Sequence, residues 1–247
     1  MELSCSVNSN VFAARLNLIE SLWRYGPSKL VIVRVDFGIR VEHQSAISAF
    51  EIIDDFERLL ANRRGKPSIF EHNIGMIWSL EFTPDKSYHY HALFVFNGHE
   101  IQNDVYYADL IGEYWCNQIT KGKGTYWNCN RQAANYPVNG LGMICHNDWP
   151  KRLALLTHVV PYLAKPDHLI RAAIQNDAIA LGMSHWAHKV RTYGASHPLT
   201  ERRSPAGRPR IGGMPSASQL VYATPDTQVD WSVPGSAFSE LVEELIF

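Results

Sequence analysis

Residues 79–98 read SLEFTPDKSYHYHALFVFNG, and the pairing of the two halves of this stretch decides the fold. A turn signal, Thr83-Pro84-Asp85-Lys86, divides it. Upstream, over 76–82, Trp78, Leu80 and Phe82 fall on one face of an extended chain, and Ile77, Ser79 and Glu81 on the other. Downstream, over 88–96, Tyr90, Ala92, Phe94 and Phe96 share a face; His89, His91, Leu93 and Val95 share the opposite one. The alternation predicts a β-hairpin with a buried aromatic face. Burying that face fixes the register, because a slip of one residue would turn every aromatic ring outward. In that register Glu81 stands opposite or diagonal to His89 and His91. Two imidazoles on a rigid strand with a carboxylate beside them form a ready set of metal ligands. Taken singly, a His-x-His pair is more often two polar residues on a half-exposed strand, and a lone strand glutamate is usually solvated.

The remainder of the chain surrounds this hairpin with helices. Residues 10–25 place Phe12, Leu16, Ile19 and Trp23 on one helical face before Gly26-Pro27. A β-branched strand follows over 30–37, with Arg34 and Asp36 on the face that also holds Ile32; the pair lines the site or forms an ion pair. Residues 42–64 predict a helix through Ala46, Phe50, Ile53, Phe56 and Leu60, stopped by Gly65-Lys66-Pro67. Further helices are expected over 104–120, 151–165 and 167–181, with short strands near 125–128 and 142–145. Pro150 suits a helix start after Asp148, Pro161 should kink the helix it sits in, and Pro166 should end it. The expected fold is α+β, a central antiparallel sheet flanked by helices. A helical segment (1–27) packs on a core domain (28–197), and a Pro/Gly/Arg-rich tail (198–247) carries a short terminal helix.

Composition narrows the class. The chain has 247 residues, 46% hydrophobic and 11% aromatic, which is enough to bury a substantial core. No apolar run reaches the length of a bilayer span, and the start lacks a signal-peptide layout, so a cytoplasmic location is expected. Cys5, Cys116, Cys129 and Cys145 contain no Cys-x-x-Cys pair, which argues against a zinc ribbon. A net charge of −1 gives no global polyanion signature, although Arg202, Arg203, Arg208 and Arg210 cluster late in the chain. Basic tails of this kind are common and usually nonspecific.

Tyr162 and Lys165 are the second feature. At a spacing of three on a helix they share a face. A phenol is a poor nucleophile unless something stabilises its anion, and an adjacent ammonium does so while also opposing phosphoryl charge. A divalent ion held by His89, His91 and Glu81 would polarise a phosphate for attack by that phenol. The structural reading of the pair is an amphipathic helix with an exposed lysine, the usual fate of such residues. His158 lies one turn before Tyr162 and is read as mainly structural. His185-x-x-His188 has helical metal spacing without a third ligand.

The strand over 30–37, Glu81, His89-Tyr90-His91 and Tyr162-x-x-Lys165 occur in the order found in HUH endonucleases, the replication initiators of rolling-circle elements, and the chain resembles that family. The wording of 78–98 and the late Arg191-Thr192-Tyr193-Gly194-Ala195-Ser196 are most similar to replication proteins of filamentous phages (inoviruses) and their prophage relatives. The resemblance spans about 28–196. It implies metal ligation by His89, His91 and Glu81, with Mg²⁺ or Mn²⁺ as the ion. It also implies Tyr162 as the nucleophile that forms a 5′-phosphotyrosine, and Lys165 as its charge stabiliser. The implied partners are single-stranded DNA at an origin or hairpin and a host helicase and polymerase; no membrane is involved, and the resemblance makes the expected location the cytoplasm of a host cell. With Tyr162 alone in the right context, a single-tyrosine scheme is implied. Two other classes compete: a noncatalytic DNA-binding regulator on the same scaffold, which predicts affinity without cleavage, and a metal phosphoesterase for small substrates, which predicts turnover without an adduct.

Overall fold

The computed structural model describes residues 9–165 and 168–200. In chain order they form α1 (Ser9–Tyr25), β1 (Lys29–Ile39), α2 (Val41–Gln44), α3 (Ala49–Asn62), α4 (Pro67–Phe70), β2 (Asn73–Thr83), β3 (Ser87–Asn97), α5 (Asp104–Tyr114), β4 (Gly124–Asn128), β5 (Gly142–Cys145), α6 (Trp149–Ala154), α7 (Val160–Ala164), α8 (His168–Ala180) and β6 (Tyr193–Ala195). The strands make one antiparallel sheet in the order β4-β1-β3-β2-β6, with β5 beside β4 on the same edge of β1. Helices cover both faces, so the protein is α+β with the sheet as its middle layer.

The 79–98 stretch is the hairpin its pattern predicts. Thr83 pairs with Ser87 across a loop led by Pro84, and Ser87 takes the left-handed conformation (φ 56°) that closes a three-residue hairpin loop. The aromatic face of β2 and β3 joins Val33, Val35 and Phe37 of β1 in a core covered by α3, α5 and α8. Phe56 is the keystone of that core. It stacks on Tyr90 with ring centroids 3.7 Å apart and meets Trp78 edge-on at 5.2 Å. The other sheet face presents Ile32, Ile77, Leu93 and Val95 to α1 and to the helix run α6–α7. The hydrophobic half of this second face lies toward one end of the sheet, and its polar half, from Asp36, Glu81, His89 and His91, toward the other.

Three departures from the sequence pattern have local causes. The helix expected over 42–64 is broken, because Ser48 accepts from the Glu51 N–H while Glu51 accepts from the Ser48 N–H, a capping box that starts a new helix at Ala49. The helix expected over 151–165 contains a wide π turn at Leu155–Val159. Pro161 has no N–H to donate and its ring opposes the Thr157 carbonyl, so the helix widens before the proline rather than simply bending at it. A similar π turn, Trp115–Ile119, extends α5. Lys165 falls just beyond α7 in extended conformation (ψ 142°), as the residue before a proline prefers. β6 has no counterpart in the sequence pattern. The expected terminal helix at 238–247, the arginine cluster at 202–210, Cys5 and all of the tail beyond residue 200 lie outside the described residues. No helix among the described residues is long and apolar enough to cross a membrane.

Candidate metal centre

Register explains which side chains meet. β3 lies between β2 and β1, so each of its residues has a neighbour on both sides. Glu81 is directly opposite His89, while His91 has Ser79 opposite it on β2 and Asp36 opposite it on β1. The three expected ligands Glu81, His89 and His91 are brought together and buried, each offering one ligand atom, all within 4.8 Å of one another. They form a group that can hold a metal ion.

Both imidazoles are oriented by what their Nδ1 atoms touch. His89 Nδ1 lies 2.9 Å from the Ser87 carbonyl, which can only accept, so Nδ1 carries the proton and Nε2 keeps its lone pair. His91 Nδ1 lies 2.9 Å from Asp36 Oδ1, and its Nε2 points to Glu81 Oε2 at 3.4 Å. A histidine held at Nδ1 by a carboxylate presents a more basic Nε2 to a metal, an arrangement common to metal-ligating histidines. The donor set therefore fits a cation. Glu81 strengthens the case: Oε2 is engaged with His91 and Lys165, while Oε1 is buried with no hydrogen-bond partner. An unpaired buried polar atom costs about 1–3 kcal/mol, and more when charged. A cation at the Nε2 atoms would satisfy it. Ser79 Oγ, opposite His91, is likewise buried without a partner.

The electrostatics lean positive around this acidic nucleus. Burial pushes Glu81 up, but His91 and Lys165 outweigh it and hold the carboxyl below its ordinary value. The same contest at Asp36 ends well below the carboxylate range, because burial is outweighed by Arg34 and His91. Arg34 grips Asp36 through two hydrogen bonds of 3.1 and 3.0 Å. His89 is lowered, chiefly by burial, and stays neutral; His91 is raised, since Asp36 and Glu81 overcome its burial.

Tyr162 and Lys165 reach the same place. The Tyr162 hydroxyl lies 3.5 Å from His91 Nε2, and the ring meets His91 edge-on at 5.1 Å. Two cations flank that ring: Arg34 at 4.2 Å and Lys165 Nζ at 4.3 Å from its centroid. Lys165 Nζ also pairs with Glu81 Oε2 at 3.2 Å. Burial pushes this ammonium down, but Tyr162 and Glu81 reverse the effect and keep it protonated. A scan against models of protein families finds none that matches this chain, and neither the curated proteins nor the solved structures contain a match.

Arg34 and Asp36 both line the centre and pair with one another. The other histidines stand apart: His158 bonds Thr157 Oγ1 at 2.8 Å, and His185 and His188 are exposed on a 3₁₀ turn. Arg15 is the residue that sequence reasoning overlooks. It is 1% exposed, donates to the Trp78 carbonyl at 3.0 Å and leaves Nη1 without a partner. Burial pulls its pKa down to about 10 against the opposing pull of Tyr193 and Glu81. The signal was present, since Val11, Arg15, Leu18 and Leu22 fall at helical spacing along one buried stripe. Asn130 is a second omission: its side chain accepts from the Arg34 N–H at 2.8 Å and donates to the Ile32 carbonyl at 2.8 Å, fixing β1 where it carries Arg34 and Asp36.

Proposed function

We propose that this chain is a metal-dependent endonuclease and strand transferase of single-stranded DNA that starts rolling-circle replication through a 5′-phosphotyrosine, with Mg²⁺ or Mn²⁺ as its ion. The observation that carries the reading is the convergence of Tyr162 and Lys165 on the Glu81, His89 and His91 group, with the phenol oxygen 3.5 Å from a ligand nitrogen. His89, His91 and Glu81 would hold the ion, which would supply Lewis acidity toward the scissile phosphate.

The protein's own groups account for the rest. Tyr162 Oη forms the new P–O bond as the bond from phosphorus to the 3′ oxygen breaks. The phenol loses one proton and the departing 3′ oxygen gains one, so the exchange balances. Phosphate-ester energy is retained in the phosphotyrosine, and the liberated 3′ hydroxyl reverses the step or primes a polymerase. Lys165, protonated, opposes charge on the phenolate and on the phosphoryl oxygens. Arg34, stacked 4.2 Å from the centre of the same ring, adds a second positive charge beside the phosphoryl oxygens. Arg15, Arg34 and Lys165 outnumber Glu81 and Asp36, which suits a polyanionic substrate.

The test is to incubate purified protein with origin-like single-stranded DNA and Mn²⁺ and to look for a protein–DNA adduct on a denaturing gel. The adduct should form with the parent protein, vanish with chelator and vanish in Tyr162→Phe. DNA affinity without any adduct would instead assign the chain to a noncatalytic regulator. Phosphoester turnover without an adduct would assign it to the small-substrate phosphoesterases.

A further inference from the structure

On the sheet face opposite the metal centre, where α3 ends beside β6, lies a groove of about 520 Å³. Arg63 and Arg64 line it from the end of α3 and Arg191 from the segment leading into β6, together with Trp78 and Gly194. The negative end of the α3 dipole accounts for a cation at its C-terminus, but not for Arg191, which arrives from the strand side. Among the described residues none of the three makes an ion pair. Arg63 Nη1 faces only the Met76 thioether at 2.9 Å, a weak acceptor. Burial, with Arg64 adding to it, lowers the Arg63 pKa. Three cations held together without a carboxylate call for an anion with more than one charge.

The floor shows how closely the groove is built. A Cβ on Gly194 would come within 2.6 Å of the Trp78 indole, so only glycine lets β6 lie against that ring. A volume in the range of a drug-sized ligand accepts roughly two nucleotides of a single strand, not the width of a duplex. Trp78 and Glu81 are three residues apart on β2, about 10 Å along the strand, and face opposite sides of the sheet. The edge strand β6 lies between the groove and the side that carries Arg15 and Glu81, where α1 packs against it. Tyr193, 47% exposed and paired with Ser79, stands on that other side.

We propose that this groove binds the phosphates of a single-stranded nucleic acid, which then passes over the β6 edge to the metal centre. The proposal rests on the reading of that centre as a DNA phosphoryl-transfer site, and names where the flanking strand is held.

The test uses full-length Tyr162→Phe protein in chelator, so that binding is measured without cleavage. Anisotropy of a fluorescein-labelled oligothymidylate is followed through a salt series. Each phosphate contact to a single strand contributes about 0.7 to the slope of log affinity against log salt, so R63Q/R64Q/R191Q should flatten it by about 2. R63K/R64K/R191K should restore it, which a merely structural role of the arginines would not do. An unchanged slope in the glutamine variant, or no binding by the parent, overturns the groove. Loss of binding to a labelled polyglutamate with the oligothymidylate slope intact also overturns it, in favour of an acidic protein partner. The two readings fail separately. A groove-dependent slope without any covalent adduct removes the nuclease and keeps the groove; an adduct formed by a glutamine variant with unchanged slope does the reverse.

Discussion

Replacing Asp36 by asparagine separates orientation of a metal ligand from stability of the sheet. Asp36 Oδ1 accepts from His91 Nδ1 at 2.9 Å, and the same carboxylate takes both hydrogen bonds of Arg34. An amide in its place is a weaker acceptor without charge, and it frees His91 to turn or to change tautomer. Loss of such an outer partner typically lowers metal affinity 10–100-fold, or about 1.4–2.7 kcal/mol. Asp36→Asn should therefore weaken Mn²⁺ binding by that factor in calorimetric titration. It should also destabilise the fold, because Arg34, its side chain only 11% exposed, is left without its countercharge, at a cost of up to about 3–5 kcal/mol. The second effect is removable: the double variant R34Q/D36N should recover much of the urea midpoint while keeping weak metal binding. His89 serves as the internal control, since its Nδ1 is held by the Ser87 backbone and is untouched by these changes. If Asp36→Asn binds Mn²⁺ as tightly as the parent, Asp36 does not orient His91 for a metal and the reasoning is refuted.

Three further outcomes follow from the same structure. Mn²⁺ at a hundredfold excess over its dissociation constant should add about 2.7 kcal/mol, roughly 5–10 °C in melting temperature, and Glu81→Gln should abolish the shift. Phe56→Ala opens a cavity between Tyr90, Trp78, Phe37 and Trp115 and should cost about 3–5 kcal/mol in urea unfolding; a loss below 1 kcal/mol would contradict its place at the centre of the core. Ser48→Ala should cost about 1 kcal/mol by removing the α3 cap. Glu51 is held below its ordinary value, first by the Ser48 N–H. Its contribution is therefore complete above the ordinary carboxylate pKa and lost as pH falls through the depressed folded value, so the cost of Glu51→Gln in urea titrations should shrink over that acid window, whereas Ser48→Ala keeps the N–H and with it most of that pH dependence.

The hairpin and the Glu81, His89 and His91 group it carries were legible because the aromatic and polar faces call for the same register. The aromatic alternation of β2 and β3 demands one register, and that register alone sets Glu81 opposite His89. Arg34 and Asp36 were legible as residues on the right face of β1, but not their division of labour, which depends on β3 lying between β1 and β2. Helix 42–64 was misjudged because hydrophobic spacing continues smoothly across Ser48, while the break is made by side-chain hydrogen bonds with the backbone. β6 was illegible for a different reason. Three residues have no period, and their strand identity comes from the free edge of β2, a partner more than a hundred residues away in sequence. Arg15 was missed because a cation inside an apolar stripe is only meaningful once the opposing sheet supplies the Trp78 carbonyl.

The π turn at Leu155–Val159 gives Pro161 a part in placing Tyr162 beside His91 that its side chain does not suggest. Had the same residues continued as a regular α-helix, Tyr162 would sit about 100° further round the axis, its hydroxyl turned away from His91. The wide turn takes up one residue's worth of rotation before the helix resumes at Val160. The bearing of the phenol is thus written into the chain immediately upstream of it, by an amide nitrogen that has nothing to donate.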